Sequence, residues 1–161
     1  MRFHPHAQLV AVKRWADLGL YEAVSRNFET LAAEEQFVML RVLDHIHTVD
    51  RIFQAHLQGV PHGFSAARSE VMPSLRALSE GTWAVDDWYV DYVDGLDAEA
   101  LEQPVDFVFT SGKPARMTRG EMLLHVCLHG TYHRGNAGAV LQLRGLTPGR
   151  DSITDYLEDA A

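Results

Sequence analysis

Residues 118–145, TRGEMLLHVCLHGTYHRGNAGAVLQLRG, decide the fold. Thr118 and Glu121 stand at the spacing of a capping box, in which the threonine hydroxyl accepts from a free backbone N–H and the glutamate returns the bond. A helix therefore starts here. Met122, Val126 and Val140 share one face of it with His125, His129, His133 and Asn136, and Gly145 followed by Pro148 ends it. That face must turn toward other helices, because its apolar members need a core to bury against.

Working outward, three more long amphipathic segments appear. Residues 7–26 place Val10, Trp15, Leu18, Tyr21 and Val24 at helical spacing. A second helix runs from about Leu31 to Leu57, with Val38, Val42, Val49, Ile52 and Phe53 apolar, and the GVPHG stretch ends it. The third follows Pro73, stops near Gly95, and carries the aromatics Trp83, Trp88 and Tyr92 for a core or a partner. Between the third and fourth helices, PVDFVFTSGKPARMT alternates as strands do, which predicts a short β-hairpin with Ser-Gly-Lys at its tip. The expected fold is all-α, an antiparallel four-helix bundle with that hairpin inserted, formed as one domain over residues 1–161.

A chain of 161 residues can bury a continuous core without disulfides or a structural metal. Its formal charge of −8, with no run of Lys or Arg to offset it, disfavours nucleic-acid binding. The single cysteine, Cys127, excludes an intrachain disulfide, and neither a signal segment nor a membrane span is visible, so a soluble cytoplasmic protein is expected.

Nine histidines make this residue type the outlier. His125, His129 and His133 lie within an arc of roughly 80° on the bundle-facing side of the fourth helix. Neighbours one turn apart can reach a single ion at about 2.0–2.1 Å, whereas residues i and i+8 are separated by about 12 Å along the axis. At most two adjacent members of the trio can bind one metal, and a third ligand must come from another helix. On the second helix His45 falls inside the apolar arc and His47 outside it, so His45 is the better ligand. Cys127 points away from this site, as a small core or interface residue.

These segments resemble the DinB-like superfamily of damage-inducible proteins. The likeness rests on LHGTYHRGNAGAVLQLRG at 128–145, LDHIHTVDRIFQAHLQG at 43–59 and ITDYL near the C-terminus. The resemblance implies a four-helix bundle with unusual connectivity, often a homodimer, carrying a divalent metal on three histidines. Matched residue by residue, those ligands fall on His45, His129 and His133. Where the family commonly has Gln after the arginine-glycine pair, this chain has Asn136, a shorter amide near His133.

Three neutral imidazoles would leave a +2 ion with an open coordination position, the arrangement of a catalytic site. Zinc and nickel both suit nitrogen donors. The resemblance implies activation of a low-molecular-weight thiol, which then attacks an electrophilic small-molecule substrate. Metal-dependent hydrolysis is the alternative, with Asp50 as the one inward carboxylate available as a base, although an ion pair of Asp50 with an arginine such as Arg134 is the favoured expectation. A non-enzymatic metal-binding module of the stress response is the third reading. Tyr132 and Arg134 are expected to serve packing and ion pairing, and His125 to support the site without ligating. His47 and His56 are expected at the surface or rim, and His4 and His6 in solvent.

Overall fold

The capping box forms as its spacing predicts: Glu121 N–H donates to the Thr118 hydroxyl at 3.1 Å, and Thr118 N–H donates to the Glu121 carboxylate at 2.7 Å. The computed structural model describes residues 4–161. Its long helices are α1 (Pro5–Asn27), α2 (Ala33–Gln58), α3 (Leu75–Asp94) and α5 (Arg119–Leu143), and two short ones are α4 (Ala98–Leu101) and α6 (Ile153–Asp159). The hairpin pairs β1 (Pro104–Val108) with β2 (Pro114–Thr118), in the register Val105 to Met117 and Phe107 to Ala115. Gly112, at φ 83°, takes the left-handed conformation that the tip requires.

Helix α1 packs against α3 and α5, and α2 packs against the same two, so α1 and α2 stand diagonally across the bundle. Two antiparallel pairs build it. In α1/α3, Arg14 meets Asp87 while Tyr21 meets Thr82; in α2/α5, Arg144 reaches Glu35 while Arg119 reaches the carbonyl of Leu57. Set side by side, these pairs leave α2 running in the same sense as α3, since His47 abuts Gly81 and Asp50 meets Tyr89. Parallel neighbours need a long crossover, and residues 59–74 supply it. That crossover meets α2 at Asp44 and His45.

The core divides in two along the bundle. Near the hairpin, Phe53, Val85, Tyr89, Phe107, Met122, Leu123 and Val126 pack together; at the other end Leu20, Val24, Met39, Leu43, Leu78 and Leu141 do so. Between these apolar layers lies a charged one, formed by Lys13, Asp17, Asp50, Asp86 and Arg134, each at most 4% exposed. The C-terminal segment closes over α1 and α5: Asp151 holds Arg134, and Trp15 meets Tyr156 edge to face and donates to Asp159. Among the described residues no helix is long and apolar enough to cross a membrane.

Two expectations about the N-terminal histidines are corrected. His4 is not solvated but caps α1, its Nδ1 accepting from Ala7 N–H at 3.0 Å. His6 is half-buried, close to where a side chain on Gly120 would stand, and burial is the main cause of its lowered pKa.

Candidate metal centre

His45 and His129 face each other across the α2/α5 interface with their Nε2 atoms 3.0 Å apart. His133, one turn further along α5, brings its ring centroid to 4.5 Å from each of the other two. One nitrogen from each of the three imidazoles lies within 4.8 Å of the others, and this is the group among the described residues with the makings of a metal site. Two nitrogens bound to one tetrahedral ion at about 2.0–2.1 Å stand roughly 3.4 Å apart, close to the spacing of His45 and His129.

Each ring is held from behind in a different way. His45 Nδ1 lies 2.7 Å from the carbonyl oxygen of Ala67, which only accepts, so Nδ1 carries the proton and the lone pair of Nε2 faces the cluster. Ala67 belongs to the crossover, which is itself pinned to α2: Ser69 N–H donates to the Asp44 carboxylate at 3.0 Å, and Arg41 donates to the same oxygen at 3.1 Å. Asn136 sets its side-chain amide nitrogen 3.3 Å from His133 Nδ1; with that amide turned over, its Oδ1 would accept from Nδ1–H and free the Nε2 lone pair for the site. His129 Nδ1 is buried and has no partner among the described residues.

Electrostatics favour the neutral forms of His129 and His133. Burial, followed by the neighbouring His133 and His45 rings, pushes the pKa of His129 down to about 3. His133 is lowered by burial and then by His45. Neutral imidazoles present lone pairs at pH 7, and the half-buried position leaves one side of the cluster open. The residues therefore fit a divalent ion bound through nitrogen.

The other flagged residues divide. His125 stacks on His129 with ring centroids 5.6 Å apart and lies against Phe53 at 4.4 Å, beside the cluster and outside it. His56 packs on Phe107 and His62. His47 is more enclosed than a surface residue: its ring fills the space where Gly81 has no side chain, and burial drives its pKa down to about 4. Tyr132 is 69% exposed, and its ring meets His133 edge to face at 4.9 Å. Cys127 is buried away from the cluster, and burial pushes its thiol up to about 12, so it is no nucleophile at neutral pH.

Asp50 requires a correction. Its partner is Lys13, 2.8 Å away, and not Arg134, which instead binds Asp151 and Asp17. Lys13, Asp17 and Asp86 were not singled out from the sequence, although a signal existed. Positions 10, 13, 17, 20 and 24 form a continuous inward stripe on α1, so two of its members are charged at core positions.

Comparison with curated proteins and with solved structures finds no match. The family model described as DinB family does match, over residues 15–160, a span that takes in the C-terminal part of α1, all of α2, α3 and α5, the hairpin and the three converging histidines. The chain belongs to the DinB family.

Proposed function

We propose that the protein is a metal-dependent enzyme in which a divalent transition ion, zinc or nickel, sits on His45, His129 and His133 and activates a low-molecular-weight thiol for attack on a small electrophilic substrate. The observation that carries this reading is the donor set: three imidazoles from two helices, joined among the described residues by no carboxylate or thiol. Three protein ligands leave a coordination position free, and an all-imidazole set leaves the ion its full positive charge. An ion so held supplies Lewis acidity, which lowers the pKa of a thiol or water that reaches it.

The chain's own part is positioning and access. Ala67 orients His45 and fixes which of its nitrogens faces the site, and Asn136 steadies the His133 ring. The exposed Tyr132 borders the open side, where a substrate would approach. Hydrolysis is less well supported, because Asp50, the carboxylate that a general base would need to be, is fully buried against Lys13. Leu128 and Tyr132, exposed one turn apart on the outer face of α5, support a homodimer as part of the same proposal.

The test has two stages. Elemental analysis of untagged protein, before and after chelation, is expected to find close to one equivalent of zinc or nickel in wild type and none in His129→Ala. Metal-loaded protein is then assayed with a panel of thiols and electrophiles. Turnover that disappears with the metal supports the enzyme. Bound metal with no turnover over the metal-free background in any combination would leave a metal-binding stress-response module instead.

A further inference from the structure

The charged layer between the two apolar cores does not balance if every member is ionised. Lys13 Nζ lies at its centre, donating to Asp17 at 2.9 Å and to Asp86 at 2.5 Å and standing 2.8 Å from Asp50 as an ion pair, so three carboxyl groups crowd one ammonium. Arg134 approaches from α5 and bonds Asp17 at 3.3 Å, sharing its charge with Asp151 at the edge of solvent. Gly130 makes that approach possible, since a Cβ there would stand 2.8 Å from Arg134 Nη1. Three buried carboxylates thus face two buried cations. An uncompensated negative charge in such a place is costly, and the usual remedy is a proton.

Hydrogen bonding indicates which group carries it. Asp86 Oδ2 is buried and, as a carboxylate oxygen, has no partner. The carboxyl groups of Asp17 and Asp86 are within hydrogen-bond reach of each other, a contact that two carboxylates cannot make because both only accept. Asp17 already receives Lys13 and Arg134, which favours its charged form, whereas Asp86 receives Lys13 alone. Asp50 has the Lys13 ion pair and neither of its oxygens has a hydrogen-bond partner, and burial raises its pKa less than that of Asp86.

We propose that this network is a buried proton-binding site: Asp86 is a neutral carboxylic acid at physiological pH, donating to Asp17, so that Lys13, Arg134, Asp17, Asp50 and Asp86 sum to zero charge. The groups facing Asp86 agree with it. From α1 they are Lys13, Asp17 and Tyr21; from α2, Asp50 and, beyond Lys13, the neutral His47; from α5, Arg134 and the protonated Cys127; on α3 itself, Tyr89. Burial, against the pull of Lys13, raises the Asp86 pKa well above the usual carboxylate range, while Asp50 rises only to about 6. The inference is independent of the metal reading, although the network adjoins the ligands: Arg134 follows His133 directly, and Gly130 follows His129.

The sign of the pH effect follows from linkage. Unfolded Asp86 ionises near its ordinary value of about 3.9, whereas the folded group keeps its proton, so stability falls as pH rises toward the folded pKa. Between about pH 7 and 8 the tyrosines are not ionised in either state and the unfolded Cys127 thiol, with its ordinary value of about 8.5, has only begun to ionise, so the slope reports mainly on Asp86. In the full-length protein as purified, the folding equilibrium constant is expected to drop about tenfold per pH unit across that window, and Asp86→Asn, whose amide can still donate to Asp17, is expected to flatten the slope.

Infrared spectroscopy at pH 7.5 gives a second readout that does not depend on the variant being stable. Wild type and Asp50→Asn should show the C=O stretch of a buried protonated carboxyl, and Asp86→Asn should lack it. Equal slopes in wild type and Asp86→Asn overturn the proposal. So does absence of the band from wild type, or its loss in Asp50→Asn with retention in Asp86→Asn.

Discussion

His45 Nδ1 donates to the carbonyl oxygen of Ala67 across 2.7 Å, so a residue 22 positions further along the chain selects the tautomer of a candidate metal ligand. The acceptor is a backbone atom, and what holds it in place is the anchoring of its loop by Asp44. Replacing Asp44 by Ala removes the acceptor for both Ser69 N–H and Arg41. Metal affinity is expected to fall about 10- to 100-fold, the usual cost of losing an outer partner of a ligand, with all three histidines still present. Competition against a chromophoric chelator measures it, and an unchanged affinity would show that the loop does not orient His45.

Truncating His129 to Ala separates the ligand role from packing. In chelated protein little stability should be lost, because the buried Nδ1 that disappears has no hydrogen bond to lose among the described residues. Added metal at 100 times its dissociation constant should stabilise wild type by about 2.7 kcal/mol and the variant not at all. Thermal melts with and without zinc read both quantities.

Lys13→Met should be far more damaging than its type suggests. It leaves Asp17, Asp50 and Asp86 buried around an apolar chain, with Arg134 the remaining nearby cation. Breaking one side of a buried ion network costs about 3–5 kcal/mol. Part of that loss should be recovered as pH is lowered through the range where Asp50, already raised to about 6, takes up a proton. Urea unfolding at several pH values gives the magnitude and the direction together.

His47 predicts an acid sensitivity. Burial first, and then Arg51, lowers its pKa to about 4, against an ordinary value near 6.5. The unfolded chain binds this proton below about 6.5 and the folded chain does not until about 4, so stability present above 6.5 is lost as pH falls through that window. In chelated protein, His47→Gln is expected to give a shallower decline in urea midpoint between about pH 7 and 5.

Much of this molecule was legible in its one-dimensional pattern. Helix spacing predicted all four long helices, strand alternation the hairpin, and the Thr118–Glu121 box the start of α5, because each depends on contacts a few residues apart. That His45 should meet an adjacent pair of the histidines on α5 followed from the same logic, since inward faces of packed helices must meet, and the family resemblance singled out His129 and His133. Tertiary structure decided what lies behind those rings. That Asp50 answers to Lys13 and not to Arg134 depends on α1 and α2 standing diagonally across a shared centre, an arrangement no periodicity encodes. A lysine is read as surface by its type, although its register on α1 placed it inside. Likewise the partner of His45 is a carbonyl that every residue possesses, and only the path of the 59–74 crossover singles out Ala67. The sequence by itself therefore determined the elements and the faces they bury, while the pairing of distant polar groups was left to the packing, because such pairs are selected by distance in space and not by spacing along the chain.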